Sequence, residues 1–295
     1  MLSILIPVYN FDIREFVAEL HAQAVKCAID FEILCCDDGS ENQFKEINKS
    51  VNEFSNVRYW ELPDNIGRSK IRNTLARSAI YDHLLFLDCD SKIYSSEFIL
   101  TYVKNSRNNS VICGGTSYES APPQDKRKYL KWLYGTKREV ISAEKRQRNP
   151  YKSFKIYNLF ISRSIFFDIQ FDEDLTEYGH EDTLFGSMLS KKKIPVLHIN
   201  SPLCHVGLDF PEEFLSKTEK GLQNLIYILK SKSDIKGIKI LSYYKLVKML
   251  GLGFLVQGVY TRLQKKIVSN LNSGNPSLLL YDFYKLGYLI SIDKG

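Results

Sequence analysis

Leu84-Leu85-Phe86-Leu87-Asp88-Cys89-Asp90-Ser91 runs four apolar residues straight into two carboxylates spaced i, i+2. A strand covered on both faces needs a continuous apolar run. The run stops where the acids begin, so the acids stand at the strand's C-terminal edge, where open α/β sheets bind ligands. Residues two apart on a strand point to the same side. Asp88 and Asp90 could therefore share one divalent cation, or divide a cation and a ligand hydroxyl between them. Mg²⁺ or Mn²⁺ suits such oxygen ligands and brings substrate phosphates with it. The competing reading is a pair of solvated turn acids.

Outward from this stretch the chain alternates strands and helices. Leu2 to Val8 reads as a buried parallel strand with Pro7 near its end. Ile13 to Ala28 has helical spacing, with Phe16, Val17, Leu20 and Ala24 on its apolar face. Phe31 to Cys36 is a second strand, ending in Asp37-Asp38-Gly39-Ser40. A helix over 43–54, a strand over 57–62, the turn Asp64-Asn65-Ile66-Gly67 and a helix from Arg68 to Ser78 follow. Beyond the opening stretch come a helix over Phe98–Asn105 and a strand at Val111–Cys113 closed by Gly114-Gly115. Apolar spacing returns from Tyr157 to Ser162. A helix bearing Leu184, Phe185, Met188 and Leu189 is introduced by His180-Glu181-Asp182, and a last strand at 194–199 precedes His205. This order predicts a Rossmann-like α/β fold, a mostly parallel sheet flanked by helices.

The 295 residues suffice for one large domain plus an appendage. Loops rich in acids stop near Pro211. The expected division is a catalytic domain over 1–210, with residues 1–115 binding the nucleotide and residues 116–210 the acceptor, followed by a helical extension over 211–295. Between Asp125 and Lys155 eleven Lys or Arg face three acids, which predicts a solvated, mobile excursion from the sheet. Its alternative use is to attract an anionic donor or acceptor.

Composition narrows the class. The hydrophobic share of 44% and charged share of 25% are those of a soluble globular protein. A net charge of +6 fits an anionic small ligand or an anionic membrane surface, and is too scattered to argue for nucleic acid. The six cysteines form no C-x-x-C pair, so reduced thiols and a cytoplasmic setting are expected. Neither a secretory leader nor a spanning segment of about 20 apolar residues is expected. Met249 to Val256, flanked by Lys245, Lys248, Arg262, Lys265 and Lys266, could lie peripherally in a bilayer interface, at the inner face of the membrane, or pack on the catalytic domain or a second copy.

The ordered set Pro7-Val8-Tyr9-Asn10, Asp37-Asp38-Gly39-Ser40, Asn65-Ile66-Gly67 through Arg72-Asn73, Asp88-Cys89-Asp90 and Glu181-Asp182 resembles a family 2 glycosyltransferase of the GT-A fold, over roughly residues 1 to 207. Ile71 stands where that family has alanine, and His180 where it often has glycine or an aromatic residue. The resemblance implies an inverting, metal-dependent enzyme. It would move a sugar from a nucleotide-sugar donor, expected to be UDP-linked, to a hydroxyl of a glycan or lipid-linked glycan.

It also implies roles. Asp38 accepts the N3–H of uracil, which fits acceptor to donor, while Pro7 and Tyr9 line the base pocket. Arg72 contacts the nucleotide. Asp90 holds Mn²⁺ or Mg²⁺ and Asp88 takes the ribose or metal side, with His205 as a further metal ligand. The metal would bridge the donor phosphates and neutralise the departing diphosphate. Asp182 takes the proton of the attacking acceptor hydroxyl, a role suited to a carboxylate held at a helix start, and Glu181 orients acceptor or sugar. Each has a structural alternative: an Asx turn or cap for Asp38, a cap for Asp182, a core imidazole for His205. Two other functions compete. One is an inactive sugar-nucleotide-binding scaffold; the other is an aspartyl-phosphate phosphatase with Asp88 as nucleophile. A dinucleotide dehydrogenase is disfavoured, since no G-x-G-x-x-G follows the first strand.

Overall fold

The computed structural model describes residues 1–107, 110–175, 178–231 and 238–293. The chain forms two compact units. The first comprises Met1–Tyr118, Val140–Thr176 and Glu181–Gly207; the second comprises Glu119–Glu139, Glu177–His180 and Leu208–Gly295.

In the first unit the strands are β1 (Leu2–Val8), β2 (Phe31–Asp37), β3 (Val57–Glu61), β4 (His83–Leu87), β5 (Ser91–Lys92), β6 (Val111–Cys113), β7 (Thr116–Ser117), β8 (Asn158–Ser162), β9 (Leu197–His198) and β10 (Leu203–His205). Between them lie α1 (Arg14–Lys26), α2 (Asn42–Asn48), α3 (Arg68–Ser78) and α4 (Phe98–Asn105). The second unit supplies α5 (Tyr129–Tyr134) before the chain returns to the first for α6 (Ala143–Gln147), α7 (Arg163–Ile169) and α8 (Glu181–Lys191).

The main sheet has the order β3-β2-β1-β4-β8-β6-β9. Pairs β2–β3, β1–β2, β1–β4 and β6–β9 are parallel, and β8 runs antiparallel between β4 and β6. A second small sheet joins β5, β10 and β7. The chain winds outward from β1 to β3, then returns to lay β4 on the other side of β1. The order reverses between β1 and β4, and the carboxyl ends of strands at such a switch point form a crevice.

The apolar runs are continuous because both faces of the sheet are covered. Ile4, Ile6, Leu85 and Leu87 pack with Phe16, Val17 and Leu20 of α1 and Phe98, Ile99 and Tyr102 of α4. Leu5, Leu84 and Phe86 turn to the other side, against Ile71 and Leu75 of α3, Phe166 of α7 and Phe185 of α8. Each such side chain contributes roughly 1.5–3 kcal/mol.

Three expectations are corrected in this unit: the last strand expected over 194–199 is only the two-residue β9 (Leu197–His198), with β10 after it. The helix over 43–54 is a two-turn α2 followed by a 3₁₀ stretch at Lys49–Glu53. Its buried Asn48 accepts from Ile13 N (3.1 Å) and donates to Phe11 O (2.8 Å), pinning the start of α1. The basic stretch is also not a solvated excursion throughout. Arg146 is 6% exposed. Its guanidinium donates to the carbonyls of Ile141 (3.0 Å), Cys113 (3.1 Å), Gly114 (3.1 Å) and Ile199 (2.7 Å), and its Nη1 lies 2.8 Å from His198 Nδ1. Five groups drawn from three stretches of chain outweigh the solvation of one cation. Gly115 has φ +97°, and a Cβ there would stand 2.6 Å from Arg146 Nη2.

The second unit is helical: α5, a π-helical turn at Gly135–Glu139, α9 (Pro211–Ser231), α10 (Lys239–Met249), α11 (Gly253–Leu271) and α12 (Leu278–Ile292). Leu130, Phe214, Tyr260, Ile267, Leu271 and Tyr281 form one cluster, and Leu222, Leu225, Leu241, Tyr244 and Leu289 another. Lys131, from the basic stretch, is buried here with its Nζ 3.3 Å from Glu139 Oε2. The apolar run from Met249 to Val256 is a corner: α10 ends at Met249, Gly251 turns at φ +65°, and α11 begins at Gly253.

Candidate active site

The loop after β2 is built first. Asp37 is buried; it accepts from Ser40 N (2.7 Å) and from the Tyr59 hydroxyl (3.0 Å), which closes the turn. Gly39 takes φ +76°, and a Cβ on it would meet Asn65 N at 2.7 Å and Asp64 C at 2.8 Å. Glycine is thus required both for the turn and for the approach of the loop at 64–67. Asp38 then accepts from Ile66 N (2.7 Å) and Gly67 N (3.3 Å). Burial raises its carboxyl above the ordinary range against the pull of those two amides. Pro7 lies next to last in β1, paired with Cys36. Tyr9 beyond it is exposed, and Asn10 ties this loop to the next through Ser40 Oγ (2.8 Å) and Glu41 N (2.8 Å).

At the end of β4 the two acids diverge. The strand stops at Leu87, so residues 88–90 do not keep the two-residue alternation that would aim both acids alike. Asp88 Oδ1 accepts from Arg72 Nη2 at 2.7 Å, whereas Asp90 Oδ2 lies 3.4 Å from His205 Nδ1. The two acids thus take different partners here, Asp88 the Arg72 guanidinium and Asp90 the neighbourhood of His205. Among the described residues no group of three or more His, Cys, Asp or Glu side chains could hold a metal ion.

Asp90 and His205 nevertheless fit a divalent ion that draws its other ligands from phosphate and water. His205 Nδ1 is buried and has no hydrogen-bond partner among the described residues. Its ring is braced edge-on by Tyr118 and Tyr157, with centroids at 5.4 and 5.6 Å. Gly207 leaves the room that Asp90 fills, since a Cβ there would stand 2.7 Å from Asp90 Oδ2.

Arg72 is 2% exposed. It bridges two elements, holding Asp88 at 2.7 Å and standing 3.8 Å from Glu181 Oε1. Its Nε and Nη1 have no hydrogen-bond partner among the described residues. Burial so complete makes Arg72 a joint between β4 and α8. Arg68, one turn earlier on α3, lies 3.7 Å from Glu181 and is half exposed. Burial alone would raise Glu181, but Arg68 and Arg72 outweigh it and hold the carboxyl below its usual range.

Asp182 follows in the first turn of α8. Its Oδ1 accepts from Ile156 N at 3.3 Å and its Oδ2 is 3.9 Å from Lys155 Nζ. Burial raises its carboxyl to about 6, with the negative Glu181 adding to the effect and Lys155 opposing it. Two acids adjacent in sequence thus take opposite protonation behaviour, the pattern by which acid and base roles separate. Gly186 sets the seat of α8: a Cβ there would meet Tyr151 O at 2.7 Å. Sequence reasoning missed Arg68, Lys155 and Gly186 as members of this site. Arg68 carried a signal, as a cation opening a helix beside the Asn65-Ile66-Gly67 turn; Lys155 carried none within its charged surroundings.

A mostly parallel sheet with carboxylates at its switch point, one of them beside an imidazole, defines an open α/β fold with its ligand crevice at the carboxyl ends of the strands. The model of the family "Glycosyl transferase family 2" matches residues 3–169, more than half of the chain. The chain belongs to that family, and the phosphatase alternative falls with the assignment. An uncharacterized glycosyltransferase of Rickettsia felis is 30% identical over 132 residues, 45% of this chain and 21% of the relative. Chondroitin synthase of Escherichia coli is 24% identical over 226 residues, 65% of this chain and 32% of that one. The chain thus spans only a fifth to a third of the length of these curated relatives. A mannosyltransferase from Pyrobaculum calidifontis, solved with GDP-Man and Mn²⁺, shares the fold with a TM-score of 0.59, 11% identity and coverage of 100% of this chain and 88% of that one.

Proposed function

We propose that the chain is an inverting glycosyltransferase that takes a UDP-sugar and a divalent metal and glycosylates a hydroxyl of a glycan or lipid-linked glycan. The observation that carries the reading is the Arg72 bridge. By joining Asp88 to Glu181 it draws the start of α8 to the edge where the donor-side acids stand.

Asp182 is the base in this reading. A carboxyl poised near 6 is ionised at neutral pH yet still basic enough to take a hydroxyl proton. The acceptor oxygen attacks the anomeric carbon as its proton passes to Asp182, and the bond to the diphosphate oxygen breaks with inversion. Glu181, kept ionised by Arg68 and Arg72, orients sugar or acceptor. Asp90 and His205 would hold Mn²⁺ or Mg²⁺, and the ion would supply positive charge against the departing diphosphate. Asp38 is the acceptor assigned to the uracil base in this reading. With one amide on each of its oxygens, the Asp38 carboxylate keeps acceptor capacity for the N3–H of uracil.

The test is a panel of sugar nucleotides with Mn²⁺, read first by thermal shift and then by hydrolysis or transfer. A rise in melting temperature with UDP-sugars and their turnover are expected. Stabilisation by GDP-sugars alone would overturn the donor assignment. Binding without any turnover across a panel of glycan and glycolipid acceptors would favour the scaffold reading.

A further inference from the structure

The second unit carries an apolar corner that its own core leaves uncovered. Met249 is 76% exposed, Leu250 56%, Phe254 72% and Leu255 50%. Gly251, Gly253 and Gly258 have nothing within 4 Å of where a Cβ would stand. Side chains exposed to this degree stand proud of the surface. A protein partner would need a matching socket for each, whereas a fluid phase conforms to them.

The charge around the corner is one-sided. Helices α10 and α11 together hold Lys239, Lys245, Lys248, Arg262, Lys265 and Lys266 and not one Asp or Glu. The wider stretch 235–281 is free of carboxylates as well. Lys248 is paired with Asp293 (2.6 Å) from outside these helices, while Lys245, Arg262, Lys265 and Lys266 are exposed. A second copy of this corner would set like charges against each other, so the complementary occupant is anionic. No helix among the described residues is long and apolar enough to cross a membrane. Apolar side chains at a tip with a basic flank are the pattern of a surface that enters the headgroup layer of a bilayer.

We propose that the α10–α11 corner docks the protein on anionic lipid bilayers, with Met249, Leu250, Phe254 and Leu255 entering the interface and Arg262, Lys265 and Lys266 meeting the headgroups. This docking is independent of the donor and acceptor chemistry proposed above.

The experiment is co-sedimentation of the full chain with phosphatidylcholine vesicles carrying about a third phosphatidylglycerol, against pure phosphatidylcholine. Binding to the anionic vesicles alone, weakened by raising the salt, is expected. Lys265→Glu and Lys266→Glu should each lower the partition coefficient by fivefold or more, since removing one such charge is worth roughly fivefold. Phe254→Ser should abolish sedimentation, its folding checked by an unchanged thermal melt. As a second probe, Phe254→Trp should shift its emission to the blue on adding anionic vesicles and be quenched by lipids brominated in the acyl chain. Absence of binding, equal binding to neutral vesicles, or an unquenched Trp would overturn the proposal. So would a concentration-dependent dimer in sedimentation velocity that Phe254→Ser dissolves, which would assign the corner to self-association.

Discussion

Two neighbouring acids, Glu181 and Asp182, show how far a residue's chemistry depends on what surrounds it. Arg68 and Arg72 hold the first ionised, and burial lifts the second to about 6. Since the folded carboxyl of Asp182 lies above its ordinary value of 3.8, the folded state binds the proton more tightly than the unfolded one. Ionising it therefore costs stability above about pH 6, and that cost is absent below about pH 4. Asp182→Asn should lower transfer by about 10²–10⁴. The same variant should raise unfolding free energy at pH 8 by an amount on the order of 1–3 kcal/mol and leave it unchanged near pH 4. Denaturant unfolding at the two pH values, alongside initial rates, checks both. In the unsubstituted protein kcat/KM should fall about tenfold per pH unit below the carboxyl value of about 6. A flat acid limb would remove Asp182 from the base role. Beside Asp90, His205→Ala should raise the Mn²⁺ concentration for half-maximal turnover at least tenfold while leaving UDP affinity without metal unchanged. Metal titration and calorimetry separate the two effects.

At the scale of elements, the site depends on close approaches that only glycine allows. Gly39 lets the turn at 64–67 reach Asp38, and Gly186 lets α8 settle on Tyr151, which sets Asp182 beside Ile156. Gly186→Ala adds a methyl 2.7 Å from a backbone carbonyl that no rotamer change can move. It should cost about 1–3 kcal/mol in stability. It should also lower kcat by more than tenfold with little change in donor affinity, since α8 carries Asp182 whereas the base-side loops belong to β1 and β2. Thermal melts, donor calorimetry and steady-state rates test this. The span of α3 and the ends of the central strands were readable from apolar spacing and from Gly67. The antiparallel course of β8 was not, because the buried apolar run in Asn158–Ser162 reads the same in either direction and only its partners β4 and β6 decide it.

Across the first unit as a whole, Arg146 closes a network between α6, the end of β6 and the approach to β10. Lysine cannot make the forked set of donations that this guanidinium makes. Arg146→Lys should destabilise the unit by about 2–4 kcal/mol, measured by urea unfolding, with kcat preserved at low temperature because no site side chain touches it. In the sequence this arginine was one of eleven cations and looked solvated; burial is decided by carbonyls contributed from Cys113, Gly114 and Ile199, far away along the chain. By itself the sequence determined the alternation of strands and helices, the covered sheet and the order of polar strand-end loops. Those follow from local apolar periodicity and turn residues. Tertiary structure alone decided that Asp88 turns to Arg72 while Asp90 turns to His205, and that Glu181 and Asp182 differ in acidity. Those outcomes rest on distances between residues remote in sequence, and on burial, which no local pattern encodes.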